Sequence, residues 1–196
     1  MTGTVALLIL IALPLAVGAY VWMTYNRLVA LRNRIDEAWS DIQVQMKRRY
    51  DLVPNLVETV KGYATQERDV FEAVVKARTA AMANQGSAAE QAKSENMLTG
   101  ALKNLFALAE AYPELKSNEN FLQMQRDLAE IEDHIQRSRR FYNGSAREMN
   151  DAVRQFPSNL VAGAFKFGTA TYFELDVDEA EAARKPVPVD FKRQNG

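Results

Sequence analysis

Met1 to Asn26 carry no charged side chain, whereas all 24 Lys/Arg and 25 Asp/Glu of the 196-residue chain lie beyond them. Within that stretch Val5 to Met23 reads VALLILIALPLAVGAYVWM, 19 mostly apolar residues. As a helix this run reaches roughly 28 Å, about the hydrocarbon thickness of a bilayer. Residues 1–26 are therefore read as a transmembrane segment, and the lipid bilayer is the first partner expected. A cleaved signal peptide is the alternative, with Val17-Gly18-Ala19 as its small-residue site, but such peptides begin with a basic region and this one has none. Pro14 sits mid-span, where membrane helices tolerate it. Tyr20, Trp22 and Tyr25 gather at the charged end, where amphipathic rings favour the headgroup layer. Arg27, Arg32 and Arg34 follow the span and no Lys or Arg precedes it. Basic residues are retained on the cytoplasmic side, so the expectation is a single-pass protein of the cell inner (plasma) membrane, N-terminus outside and the remainder cytoplasmic. The opposite orientation, a signal anchor with the remainder exported, is the alternative.

Past the span the chain is patterned as helices. No Gly or Pro intervenes between Met23 and Tyr50, and Leu28, Leu31, Ile35, Ala38, Ile42 and Met46 recur at spacings of three and four, so the span is expected to continue as one helix. Pro54 lacks an N–H and disfavours helical geometry at Val53, which points to a tight hairpin within Arg48 to Val57, with Asp51 capping the next helix. A kinked continuous helix is the alternative. Asn84-Gln85-Gly86-Ser87 is the clearest loop, and Ser87 with Glu90 forms a capping box. Tyr112-Pro113 then makes a stop. The longest pattern follows: Phe121, Met124, Leu128, Ile131, Ile135, Ser138, Tyr142, Ser145, Met149, Ala152 and Phe156 alternate by three and four as one seam. Gly144 lies inside it and is expected to admit a neighbouring helix.

The expected fold is all-α: the transmembrane helix continues into an antiparallel four-helix bundle over residues 27–176, with helices at about 25–50, 52–84, 88–111 and 118–156. A short helical segment follows Pro157, and residues 177–196 form an acidic, Pro-containing tail. Leu160 to Phe173 carries one charge, Lys166, and is expected to pack across one end of the bundle or to dip into the membrane as a lip.

Several chemistries are excluded. A net charge of −1 gives no basic field, so no nucleic acid is expected as partner. The absence of cysteine removes disulfides, thiolate nucleophiles and thiolate metal sites. A di-iron carboxylate site needs two Glu-x-x-His pairs, but His134 is the only histidine and Ile131 lies three residues before it. There is no Gly-x-Ser-x-Gly elbow and no phosphate-binding Gly-rich loop. No catalytic, cofactor-binding or metal residue is assigned, no cofactor is expected, and the chain is read as not an enzyme. An enzyme or a metal-dependent sensor using carboxylates such as Glu130, Glu132 and Asp133 is the competing class. What stands out instead is a polar set among the seam residues: Arg48, Arg49, Asp51, Asn55, Arg139, Arg140, Asn143 and Asn150, read as fixing register between helices.

At these residues the chain resembles the LemA family. The resemblance rests on Tyr25-Asn26-Arg27-Leu28-Val29, Arg48-Arg49-Tyr50-Asp51-Leu52-Val53-Pro54-Asn55-Leu56-Val57, Tyr112-Pro113-Glu114-Leu115, Phe141-Tyr142-Asn143 and Phe156-Pro157-Ser158-Asn159. The chain departs from the family at Ala146 and Met149-Asn150, where Val and Tyr-Asn are usual. The resemblance implies a short outside N-terminus, one membrane helix, an antiparallel helical bundle and no established reaction. The function expected is that of a membrane-anchored scaffold or assembly protein. It would act as a homo-oligomer, helped by the small residues Ala12 and Ala16 in the span, or with an unidentified protein partner. Membrane remodelling is the alternative.

Overall fold

The structure is a computed structural model and describes residues 2–174, so the tail read at 177–196 lies outside the described residues. It is all-α, with six helices and no strand among the described residues. Helix α1 spans Thr2–Lys61, α2 Arg68–Ala83, α3 Ala88–Glu110, α4 Pro113–Lys116, α5 Glu119–Arg154 and α6 Ser158–Ala164. By length and composition, α1 is long and apolar enough to cross a membrane.

The expected hairpin within Arg48 to Val57 does not form; α1 passes straight through Pro54. The reason is local chemistry supplied from a distance. Without an N–H on residue 54, the Tyr50 carbonyl loses its partner within the helix. Arg78 of α2 fills the vacancy, its Nε donating to Tyr50 O at 2.7 Å. Asp51 therefore caps nothing and pairs instead with Lys47 at 2.7 Å on the exposed face. The chain turns later, where Gly62 N–H still reaches Glu58 O and Ala64 N–H reaches Val60 O, and α2 begins at Arg68.

The other boundaries follow local signals. Ser87 and Glu90 make the capping box that opens α3, and the Ser87 backbone N–H and hydroxyl hold the Glu90 carboxyl below its usual range. Asn118 caps α5 by accepting from the Phe121 N–H at 3.0 Å. Gln155 and Pro157 separate α5 from α6.

Packing begins where the uncharged arm ends. Most large apolar side chains from Leu8 to Met23 are exposed, Leu10 at 71% and Trp22 at 68%, while Leu28, Leu31, Ala38, Ile42 and Met46 are buried. α5 runs antiparallel to α1: Arg34 lies opposite Glu148, Trp39 opposite Tyr142, Arg49 opposite Glu132, and Tyr63 opposite Asn118. α2 and α3 form an antiparallel pair closed by the Asn84 loop. The seam of α5 buries Phe121, Leu128, Ile135, Tyr142, Ser145, Met149 and Ala152, with Met124 and Ile131 half-buried. Phe156 leaves the seam because the helix has already ended, and it is 79% exposed. Gly144 likewise differs from expectation: among the described residues a Cβ there would meet nothing within 4 Å, so no described helix approaches it closely.

Candidate functional site

The three-four rhythm of α1 continues past Met46 to Arg49, then Val53, Leu56 and Val60. Arg49 thus occupies a core register, and its side chain is 2% exposed. In α3 the rhythm of Leu105, Leu102 and Leu98 runs back to Glu95 and Gln91, both buried. The two charges meet: Arg49 Nη2 bonds Glu95 Oε2, while Nη1 donates to Glu132 Oε2 of α5 at 2.7 Å and to Thr99 Oγ1 at 3.3 Å. Tyr50 OH donates to the other Glu95 oxygen, which also accepts from Gln91 Nε2 at 2.9 Å. A second Gln91 bond at 3.1 Å reaches the Ala81 carbonyl, so one network ties α1, α2, α3 and α5.

Burying these charges is costly, and only full pairing makes it tolerable. Removing one partner of such a pair costs about 3–5 kcal/mol because the other charge stays buried. Burial first, and then the neighbouring Glu95 carboxylate, pushes the Tyr50 hydroxyl well above the ordinary tyrosine value. Tyr50 is therefore a fixed donor. Thr99 Oγ1 accepts from the same guanidinium nitrogen that donates to Glu132.

Beside the network a cleft of about 340 Å³ opens between α3 and α5, with Arg49 among its lining residues. Leu102, Phe106, Leu128 and Ala129 give it an apolar wall, and Thr99, Lys103, Glu132 and Gln136 supply polar groups. Arg49 Nε is buried without a hydrogen-bond partner among the described residues.

A second constellation lies on α5. The Asn143 side chain donates to the Phe173 carbonyl at 3.0 Å and accepts the Phe173 N–H at 2.9 Å. Asn150 does the same for Ala170, at 3.0 and 2.8 Å, and Tyr142 OH donates to Thr171 O at 3.0 Å. The spacing is a match of two rises: seven helical residues advance about 10.5 Å, and three extended residues about 10 Å. The segment after α6 is thus strapped along α5 by its main chain, with one buried anchor, the Phe173 ring against Trp39 at 5.5 Å.

Of the polar residues singled out in the sequence, Arg49, Asn143 and Asn150 enter these two constellations. Arg48, Asp51, Asn55 and Arg140 stay on exposed faces, and Arg139 is half-buried. The carboxylates considered for a metal sensor do not converge: Glu132 is held by Arg49, Asp133 pairs with Arg137 at 2.8 Å, and Glu130 lies 3.8 Å from His134 on an exposed face. Glu95 and Gln91 are absent from the polar set read in the sequence. Their signal is present there, since each stands on the α3 apolar register where a charge or amide demands a partner.

These features define an all-α protein with one N-terminal helix suited by length and apolarity to a membrane and a charged network at the centre of its packed helices. The chain belongs to the LemA family, whose model matches residues 38–191. It is similar to magnetosome protein MamQ 2 of Paramagnetospirillum magneticum, at 28% identity over 181 residues, covering 80% of this chain and 66% of the relative. It is also similar to protein LemA of Metamycoplasma hominis, at 27% identity over 165 residues, covering 80% and 74%. A third relative, magnetosome protein MamQ of Magnetospirillum gryphiswaldense, is 26% identical over 176 residues and is covered over 65% of its length. The chain thus spans about two thirds of the magnetosome relatives it matches.

Proposed function

We propose that this protein is a membrane-anchored scaffold that acts by binding, through copies of itself or a protein partner, with residues 1–26 crossing the cell inner membrane and the helical bundle in the cytoplasm. The observation that carries the reading is the continuity of α1, which runs without a break from the uncharged arm into the packed helices. A platform needs its binding surfaces held at a fixed height and angle to the bilayer, and a jointless helix does that. Arg27, Arg32 and Arg34 just past the arm support the cytoplasmic orientation. Self-association is supported by apolar side chains left exposed on the body, Val44, Val75, Met82, Met97 and Phe141 among them. The names of its relatives denote no enzymatic activity, and the reading does not call for one.

The chain has no native cysteine, so one introduced by Ser87→Cys in the α2–α3 loop is its sole thiol. In intact cells this thiol should resist a membrane-impermeant reagent and react only after lysis; labelling before lysis reverses the orientation. Mass photometry of the detergent-purified chain should give oligomers or a co-purifying partner. Monomer alone would defeat the scaffold.

A further inference from the structure

The antiparallel register of α1 and α5 determines which end of the molecule α6 occupies. With Arg34 opposite Glu148 and Arg49 opposite Glu132, the C-terminus of α5 at Arg154 falls beside Leu28, next to the end of the apolar arm. α6 is seated there by Val161 and Ala162, which pack with Leu28, Leu31, Met149 and Ala152, and Val21 of the arm itself joins that cluster. Tyr25 is flanked by the rings of Phe165 and Phe167, at centroid distances of 4.8 and 5.7 Å. The inward side of the segment is thereby used.

Among the described residues nothing covers its outward side. Phe156 is 79% exposed, Leu160 63% and Phe165 50%, at the level where Trp22 and Met23 of α1 also stand exposed. Between Phe156 and Phe173 the only charge is Lys166, and Arg27 and Arg154 lie exposed at the same level. Apolar and aromatic side chains rimmed by basic groups are what the boundary between acyl chains and anionic headgroups accepts.

We propose that Phe156, Leu160 and Phe165 form an interfacial lip inserted at the acyl–headgroup boundary of the same bilayer that α1 crosses, with Lys166 directed to lipid phosphates. The proposal rests on the reading of residues 1–26 as a membrane span. A bilayer is the occupant because the segment is docked on the arm itself, Val161 and Ala162 clustering with Val21 and Phe165 and Phe167 lying against Tyr25, so a span places the lip at the lipid boundary without any further movement. The lip makes a second point of contact beside the helix, and two points fix the tilt of the body over the membrane.

The full chain is reconstituted into phosphatidylcholine–phosphatidylglycerol vesicles with one environment-sensitive fluorophore on Leu13→Cys, Ser87→Cys, Phe156→Cys or Leu160→Cys. All four positions are exposed, so labelling disturbs no buried contact; at 87 it gives up only the cap of α3. Lipids carrying nitroxides at shallow or deep acyl positions then report depth. The expected result is loss of emission at 13 with deep nitroxides, loss at 156 and 160 with shallow ones together with a blue shift, and neither at 87. If 13 is quenched while 156 and 160 emit as 87 does, the lip is overturned and the span stands. If 13 is not quenched, the span reading falls and the lip falls with it.

Discussion

Pro54 and Arg78 show how a single missing hydrogen determines a boundary. The sequence marks residue 54 as a break because proline cannot donate, and that reading is chemically correct; what it cannot supply is the replacement donor, 24 residues further along the chain. Arg78→Ala should therefore cost about 1–3 kcal/mol by orphaning the Tyr50 carbonyl. The same change made on a Pro54→Ala background should cost markedly less, because an alanine at that position restores the N–H inside the helix. Urea melts of the four proteins measure the difference, and equal costs on both backgrounds would refute the compensation. Arg49, by contrast, is legible together with Glu95: opposite charges on apolar registers of two helices must meet each other or unfold the pair. Tyr50 beside them yields a pH effect. Folding raises its pKa from 10.0, and Tyr142 is raised too, mainly by burial, so this stability is fully present below pH about 10 and is lost as pH rises above it. Tyr50→Phe should lower stability at neutral pH by about 1–3 kcal/mol yet flatten the alkaline decline, as followed by circular dichroism. An alkaline limb as steep as the parent's would contradict the assignment.

Among the elements, α3 and α5 are readable to within two residues because their caps are local. Ser87 with Glu90 and Asn118 with Phe121 act within three positions, so a short window of sequence contains both partners. The boundary of α1 and α2 is not readable for the opposite reason. The strap after α6 stands between these cases: Asn143 and Asn150 are visible as polar residues in an apolar seam, but the partner of each is main chain, which has no sequence signature. Replacing both by Ala should free the strap while leaving the distant hairpin of α2 and α3 intact. Hydrogen exchange at the Ala170 and Phe173 amides should then accelerate by orders of magnitude, with the α3 amides unchanged. Unaltered protection at 170 and 173 would show that the Phe173 ring alone holds the segment.

At the scale of the whole molecule, α1 is about 90 Å of helix with no joint between its exposed apolar arm and the packed body. Such a rod carries torque. Whatever sets the rotational phase of the arm, such as a neighbouring span packed on the face of Ala12 and Ala16, sets with it the azimuth at which the α3–α5 cleft and the exposed apolar side chains of the body are presented. One alanine inserted after Gly18 advances that phase by about 100° and the height by only about 1.5 Å, whereas seven return it to within about 20° at a cost of about 10 Å in height. If partner recognition depends on azimuth, the one-residue insertion should reach the membrane normally but lose the cross-links that join copies through the body, and the seven-residue insertion should regain part of them. Cross-links indifferent to both insertions would mean that the body is free to swivel, and the shaft transmits nothing.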